Sequence, residues 1–509
     1  MLGSIRTALL LLLLLALHAP RGSLALPVFP NVQAVLSKER KDTRVLILGG
    51  GVAGVTAART LHEQGIDDFI IIEARHELGG RMMSRSFGAA GNEWMVEVGA
   101  NWVQGTQTGD GPANPVWELA KKHNVSLRSS DYSGSIATYD DSGAIDFQEA
   151  FQKSIEDFRH LTATAGARVP NRLVDMTARS GYALSGARPT SRYEMASEYY
   201  QFDLEYGATP EETSWLASAW LRLARTLAER SFWGGQAHNH TFKTFSPENL
   251  LSIDQRGFKT LIQAEAAEFL AEDQVRLNAT VSAIFTTKGG VAMVLADGTT
   301  LSAGYALCTF SLGVLQHDDV KFIPSLPTWK QEAIHSMAMG TYTKIFMQFP
   351  EKFWFDMENL DHPAFFPGSG ILFATVTGTF SHRIESMSDA DVQAEILSVL
   401  SSMFPNATIP EPLDFYFQRW HSDPLFRGSY SNWPANFLSE HQGNLRANVD
   451  KRLWFAGEAT SKKWFGYLHG AYTEGQDIAL TLAGCIKEGK CDELEHLERV
   501  RNALPYNIE

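Results

Sequence analysis

Arg44-Val-Leu-Ile-Leu-Gly-Gly-Gly-Val-Ala-Gly54 is the stretch whose reading decides the fold of this chain. The aliphatic run Arg44–Leu48 predicts a buried strand, and Gly49, Gly51 and Gly54 follow in G-x-G-x-x-G spacing. A helix-like segment then runs to about Gly65, and a second strand, Phe69-Ile-Ile-Ile-Glu73, ends on an acid. Each part has a physical task. Gly49 permits the tight turn, Gly51 lets the backbone approach a pyrophosphate, and Gly54 lets the helix pack on the strand. The helix N-terminus offers unpaired N–H groups and a partial positive charge to phosphates. Glu73 is placed to accept hydrogen bonds from ribose hydroxyls. A lone G-x-G-x-x-G arises easily by chance, but both strands, the helix and the acid in register predict a dinucleotide site.

Downstream, Glu73-Ala74 is followed after four residues by Gly79-Gly80-Arg81, and later by Glu97-Val-Gly-Ala-Asn-Trp-Val103. Taken alone, Gly79-Gly80 reads as a surface turn. Behind a complete fingerprint, the pattern E-A-x4-G-G-R resembles the second flavin signature of the flavin-containing amine oxidases. That resemblance implies FAD, with the glycines close to it and Arg81 at its phosphates.

The 509 residues are too many for one small core and predict two domains. The net charge of −14 and the lack of a basic cluster outside the first residues exclude nucleic-acid binding. An acidic field draws in cations, which favours a polycationic ligand slightly. Met1–Ala25 carries Arg6, the leucine run Leu9–Leu15 and the small-x-small sequence Ser23-Leu24-Ala25. It reads as a cleaved secretory signal, and no later apolar run reaches the ~20 residues of a membrane span. N-x-S/T sequons at Asn124, Asn239, Asn278 and Asn406 suit that route. Cys485 and Cys491, near the end of the chain and without a histidine pair, predict a small disulfide rather than a metal site. Cys308, inside Tyr305-Ala-Leu-Cys-Thr-Phe310, predicts a buried free thiol.

Strand signals return at Gln274–Asn278, Val281–Phe285 and Val291–Leu295, with Asp297-Gly298 as a hairpin turn. Tyr342–Phe349 and Leu453–Glu458 read as further strands, and a helix follows from about Gly470 to Cys485. Between about 131 and 245 the chain reads helical and polar, as in Trp215–Arg225. Phe455-Ala-Gly-Glu458 and Gly466-Tyr-Leu-His-Gly470 again place glycines and an acid at a helix start. First and last segments are thus expected to share one discontinuous domain.

From about Arg44 to Cys491 the chain resembles secreted flavin-containing polyamine oxidases of the plant extracellular type. The resemblance rests on Val98–Val103, Asp254–Gly257, Ser311–Leu315, Tyr342–Lys344, Ser431–Pro434, and Phe455–Glu458 with Gly466–Gly470. It implies an α/β fold: a discontinuous Rossmann-like FAD-binding domain beside an α+β substrate-binding domain, like p-hydroxybenzoate hydroxylase. The expected parts are signal 1–25; FAD-binding 44–130, 246–340 and 426–491; and substrate-binding 131–245 and 341–425. It implies non-covalent FAD, since residues 455–475 hold no cysteine, bound by Gly49, Gly51, Gly54, Glu73, Arg81, Trp102, Val281 and Glu458.

The same resemblance implies that Lys344 holds a water against flavin N5. Read from its strand alone, Lys344 is a lysine snorkelling to solvent; if buried, its ammonium is desolvated and its pKa lowered. Tyr430 and Tyr467 fall where the family places an aromatic pair around the amine, with Trp420 lining the same cavity. Any one of these aromatics, among 30 phenylalanines and 12 tryptophans, reads by itself as core. Glu205 matches an acid of the family's substrate tunnel. Gln104 stands where a second tunnel acid belongs, which removes a negative charge.

The expected reaction, on spermine, spermidine or their acetylated forms, is hydride loss from the carbon beside an uncharged polyamine nitrogen to the flavin. It gives an aminoaldehyde, a shorter amine and, with O2, H2O2. No metal is expected, and the chain is expected to be a monomer or weak oligomer. The rivals are a secreted L-amino-acid oxidase, which needs an arginine for the substrate carboxylate, and a non-catalytic amine-binding flavoprotein. A histone demethylase fits least, given the signal and the lack of an inserted helical tower.

Overall fold

The strand Thr43–Leu48 lies inside an eight-stranded sheet, paired in parallel with Phe69–Ile72 on one side and Thr300–Cys308 on the other. The computed structural model describes residues 42–129, 136–168, 173–221, 245–246, 248–354, 368–435, 438–489 and 491. The expected signal at 1–25 and the sequon at Asn239 lie outside them. A parallel strand covered on both faces reads as a continuous apolar run, and Val45, Leu46, Ile47 and Leu48 are all fully buried. The antiparallel run Val281–Thr287, Gly290–Leu295 and Thr300–Cys308 extends the sheet, with Asp297-Gly298 in the second turn. Leu453–Phe455 adds in parallel to the end of Thr300–Cys308. Residues near both ends of the described chain therefore build one sheet.

Two glycines set the spacing of the layers on this sheet. A Cβ at Gly54 would lie 1.9 Å from the carbonyl oxygen of Gly49, so only glycine lets the Val52–Glu63 helix leave the strand this tightly. A Cβ at Gly475 would lie 2.4 Å from the carbonyl oxygen of Ala53. That closeness packs the last helix, Leu468–Glu488, against the first.

A smaller antiparallel sheet has Tyr342–Gln348 at its centre, between Ile371–Thr377 and Asp414–Phe417. Helices Gln148–Arg168, Ala178–Leu184, Arg192–Gln201 and Trp215–Leu221 come from the polar stretch expected to be helical. That stretch also contains a hairpin, Tyr139–Asp140 with Gly143–Ala144, which the helical reading did not anticipate. The reason is turn chemistry: Asp140 Oδ1 accepts from Ser142 N and Oγ, and Gly143 takes φ +108°. The strand expected at Gln274–Asn278 shortens to Val275–Arg276. Gln274 belongs to a 3-10 turn, and Asn278 adopts φ 54°.

Cys485 and Cys491 form a disulfide, and Cys308 is buried and free. No helix among the described residues is long and apolar enough to cross a membrane. Peptide mapping without reduction is expected to recover Cys485 and Cys491 crosslinked, with Cys308 alkylated only after unfolding. Two freely alkylated thiols at 485 and 491 would contradict the pairing.

Candidate functional site

A cavity of about 790 Å³ runs from the Gly49–Gly51 turn past Arg81 and Trp102 to Lys344, Tyr430 and Tyr467. Ligand pockets commonly measure about 300–1,000 Å³. At one end the Val52–Glu63 helix begins with no side-chain cap at Gly51, so its first N–H groups are available to an anion. A Cβ at Gly51 would meet nothing nearer than the Cα of Gly80 at 3.8 Å, which leaves room for a phosphate. Gly79 N–H donates to the Gly50 carbonyl at 2.9 Å, so the second glycine loop is clasped onto the first. These features fit a dinucleotide diphosphate.

Glu73 is buried and more tied down than the ribose reading required. Its Oε2 accepts from Gly50 N at 2.7 Å and its Oε1 from Arg75 N at 2.8 Å. It still lines the cavity, with Val281 beside it at the start of its strand. Arg81 also differs from the simple phosphate reading. Its Nη1 donates to Glu458 Oε1 at 2.8 Å and to the Ser429 carbonyl at 3.0 Å. Glu458 is a hub: besides Arg81 it accepts from Ser431 N, Ser431 Oγ and Gly466 N. Long-range packing chose these partners; no spacing in the sequence pairs residue 81 with residue 458.

The other end is organised by the alternation of a strand. On Tyr342–Gln348, Tyr342 and Lys344 point to the cavity, while Thr343 points away to Ser381 and Glu385. Lys344 is 7% exposed, not snorkelling. Its Nζ donates to the carbonyls of Glu97 at 3.0 Å and Gly99 at 2.8 Å, and to Asn101 Oδ1 at 3.0 Å. Those oxygens account for every proton of an ammonium. Desolvation pulls Lys344 down to about 8. Burial likewise pushes the Glu97 carboxyl up to about 7, although it accepts from Phe258 N at 2.6 Å and Ser84 Oγ at 2.7 Å.

Tyr430 and Tyr467 both reach Glu205. The Tyr430 hydroxyl donates to its carbonyl at 3.4 Å, and the Tyr467 hydroxyl to its Oε1 at 3.2 Å. Burial holds both phenols well above their ordinary pKa, so they stay neutral. Trp420 is buried edge-on to Phe426 at 5.0 Å. Trp102 and Gln104 come from a short strand paired with Asn249–Ser252. All of these residues line the cavity.

Sequence reasoning missed several neighbours. Tyr342, whose ring lies 6.4 Å from that of Tyr430, was accessible from period-2 alternation with Lys344. Glu97 and Asn101, in Glu97–Val103, and His469, in Gly466–Gly470, stood inside quoted segments but were given no role. Away from the cavity, His123, Glu265 and Glu268 bring ligand-type atoms within 4.8 Å of one another, a grouping the expectation of no metal had not considered. Arg59 already pairs with Glu265 at 2.6 Å and Glu268 at 2.9 Å, and Lys122 joins them.

Comparison with known proteins is consistent with this geometry. Residues 52–481 match the family model described as flavin containing amine oxidoreductase. Polyamine oxidase 1 of Zea mays is 34% identical, with 95% of this chain and 96% of that protein aligned. Polyamine oxidase 6 of Oryza sativa subsp. japonica is also 34% identical, over 88% of this chain and 92% of its own length. Lysine-specific histone demethylase 1 homolog 3 of Oryza sativa subsp. indica is 27% identical, with only 56% of that protein covered.

The buried carboxyl makes a pH prediction. A carboxyl whose folded pKa lies above its unfolded value binds more protons when folded, so stability falls as pH rises from about 4.5 to about 7. Thermal melts of Glu97→Gln and the unmodified chain at pH 5 and pH 8 read this. The unmodified chain is expected to lose melting temperature relative to the variant between the two; parallel shifts would contradict it.

Proposed function

The chain belongs to the flavin-containing amine oxidoreductases, and from that premise we propose that it oxidises polyamines, using FAD held in the cavity described above. One observation carries the reading: a buried lysine, a carboxylate and an aromatic group share a cavity with a dinucleotide turn. FAD, when bound, supplies the hydride acceptor and the route to O2, with an aminoaldehyde, a shorter amine and H2O2 as products. The rest is the work of this chain. The Gly51 helix start and Arg81 hold phosphate, and Glu73 and Val281 frame the adenosine end. Glu458 fixes Arg81 and the Gly466 turn; Trp102 adds an aromatic wall.

At the reactive end Glu205 attracts one ammonium of the substrate, and the Tyr430 and Tyr467 rings pack its methylenes. Desolvation by these rings and Trp420 favours the uncharged form of the reacting nitrogen, whose lone pair must assist hydride loss. Lys344 Nζ can hold a water or release a proton there, and Asn101 Oδ1 is the side-chain acceptor that can turn away when it does. The cavity's arginines do not suit an amino-acid oxidase. Arg75 is bonded to Gly80 and Glu77, and Arg81 to Glu458, leaving among the described residues no arginine beside Tyr430 and Tyr467 to pair a carboxylate.

The purified, flavin-loaded protein is expected to release H2O2 with spermine or spermidine and not with an L-amino acid. Lys344→Met is expected to keep its flavin absorbance and lose about 10²-fold or more in kcat, the usual worth of a positioned proton-transfer group. A yellow protein silent on all polyamines would overturn the reading.

The route outside the cell belongs to the same proposal, supported by the Met1–Ala25 leader, the sequons and the Cys485–Cys491 pair. Expressed in a eukaryotic host, the protein is expected in the medium, trimmed near Ala25 and shifted in mass by glycosidase. Retention inside the cell with Met1 intact would contradict it.

A further inference from the structure

Behind the strand that carries Lys344 lies a buried acid with no part in the reaction described above. Glu385 ends the helix Gly378–Glu385, is 4% exposed and does not line the cavity. Its Oε1 accepts from Thr343 Oγ1 at 3.2 Å, on the face of Tyr342–Gln348 opposite Lys344. Its Oε2 accepts from His421 N at 2.9 Å, Ser422 N at 3.1 Å and Ser422 Oγ at 3.3 Å. Its backbone carbonyl accepts from Arg419 Nε at 3.1 Å. Both chain neighbours of Trp420 are therefore tied to this one residue.

The same helix ties strand to turn a second time. His382 Nε2 meets Thr341 Oγ1 at 2.7 Å, and the His382 ring stacks on that of His421 at 4.2 Å and 28°. Trp420 itself is buried and lines the cavity, and its indole N–H hydrogen-bonds to no described residue. Its ring is placed by packing on Phe426 and by the backbone that Glu385 holds.

The donors to the Glu385 carboxylate are all neutral, and among the described residues no cation pairs with it. An apolar residue would fill this space at less cost in desolvation. What only the carboxylate does is accept from the strand and from the turn at once. We propose that Glu385 is a positioning residue for amine oxidation, acting through Trp420. It fixes the Trp420 turn against the Lys344 strand and so sets the width of the cavity between them. The proposal rests on the amine-oxidase reading above.

The test is a double-mutant cycle on the flavin-loaded protein, read as KM and kcat for spermidine and by 19F NMR of fluorotryptophan-labelled chain. Glu385→Ala is expected to raise KM about tenfold or more, with kcat within about threefold, because two buried N–H groups of the turn lose their acceptor. In a Trp420→Phe background the same change is expected to cost less than about threefold, since the residue it acts through is gone. Glu385→Gln is expected to stay within about threefold of the unmodified chain: its oxygen serves the turn and its NH2 donates to Thr343 Oγ1. Thr343→Val cuts only the strand side and is expected to raise KM about threefold or more; it decides the matter if Glu385→Ala does not fold. The Trp420 resonance, identified by its loss in Trp420→Phe, is expected to move in Glu385→Ala and Thr343→Val and to stay in Glu385→Gln. A lower melting temperature with KM unchanged, costs that multiply across the cycle, or a Glu385→Gln as impaired as Glu385→Ala overturns the proposal. If the unmodified chain oxidises no amine, the function above fails instead, and the resonance decides alone: movement in that pattern supports the positioning and an unmoved signal overturns it.

Discussion

The site depends on one buried carboxylate. Glu458 follows the short strand Leu453–Phe455 and gathers Arg81, Ser431 and Gly466 around itself. A buried charge is tolerated only when it is paired and hydrogen-bonded, and removing one partner of such a pair commonly costs about 3–5 kcal/mol. Those contacts therefore do more than satisfy Glu458. They hold the second glycine loop, the strand bearing Tyr430 and the turn before Tyr467 at one point, from which both ends of the cavity are positioned.

The reactive end follows the same logic with the sign reversed. Lys344 is a cation placed in an apolar sheet, and the loop Glu97–Asn101 offers it two carbonyls and an amide oxygen. Its desolvation is thus offset by neutral acceptors rather than by a salt bridge, which keeps its proton within reach of release. Glu205 plays the complementary part. It is linked to Tyr467 and Tyr430 through their hydroxyls, so the rings that would grip a substrate are fixed by the acid that would attract it.

Much of the fold was legible because it is local. The βαβ unit, the hairpin at Asp297-Gly298 and the last helix follow from apolar period, turn residues and glycine spacing within a few positions. The site was legible residue by residue through resemblance, but its wiring was not. Arg81 was read only through phosphate, and its Nη1 also bonds Glu458; Lys344 looked like a surface lysine from its strand and is buried. Asn101 and His469 lie inside the quoted blocks Val98–Val103 and Gly466–Gly470, but nothing in those blocks says what their side chains meet.

Sequence alone determined the dinucleotide turn, its phosphate-facing glycines and the disulfide partners, because neighbouring residues set each of these through backbone sterics and short closure. Only the tertiary structure decided which charges are buried and what satisfies them. Tyr467 meets Glu205 across 262 positions, and Phe245 packs on both Trp464 and His469, more than 200 positions away, in the cavity that Gln104 also lines. A side chain's charge state and partners depend on what is packed around it, and long-range packing is not written in any single window of the chain.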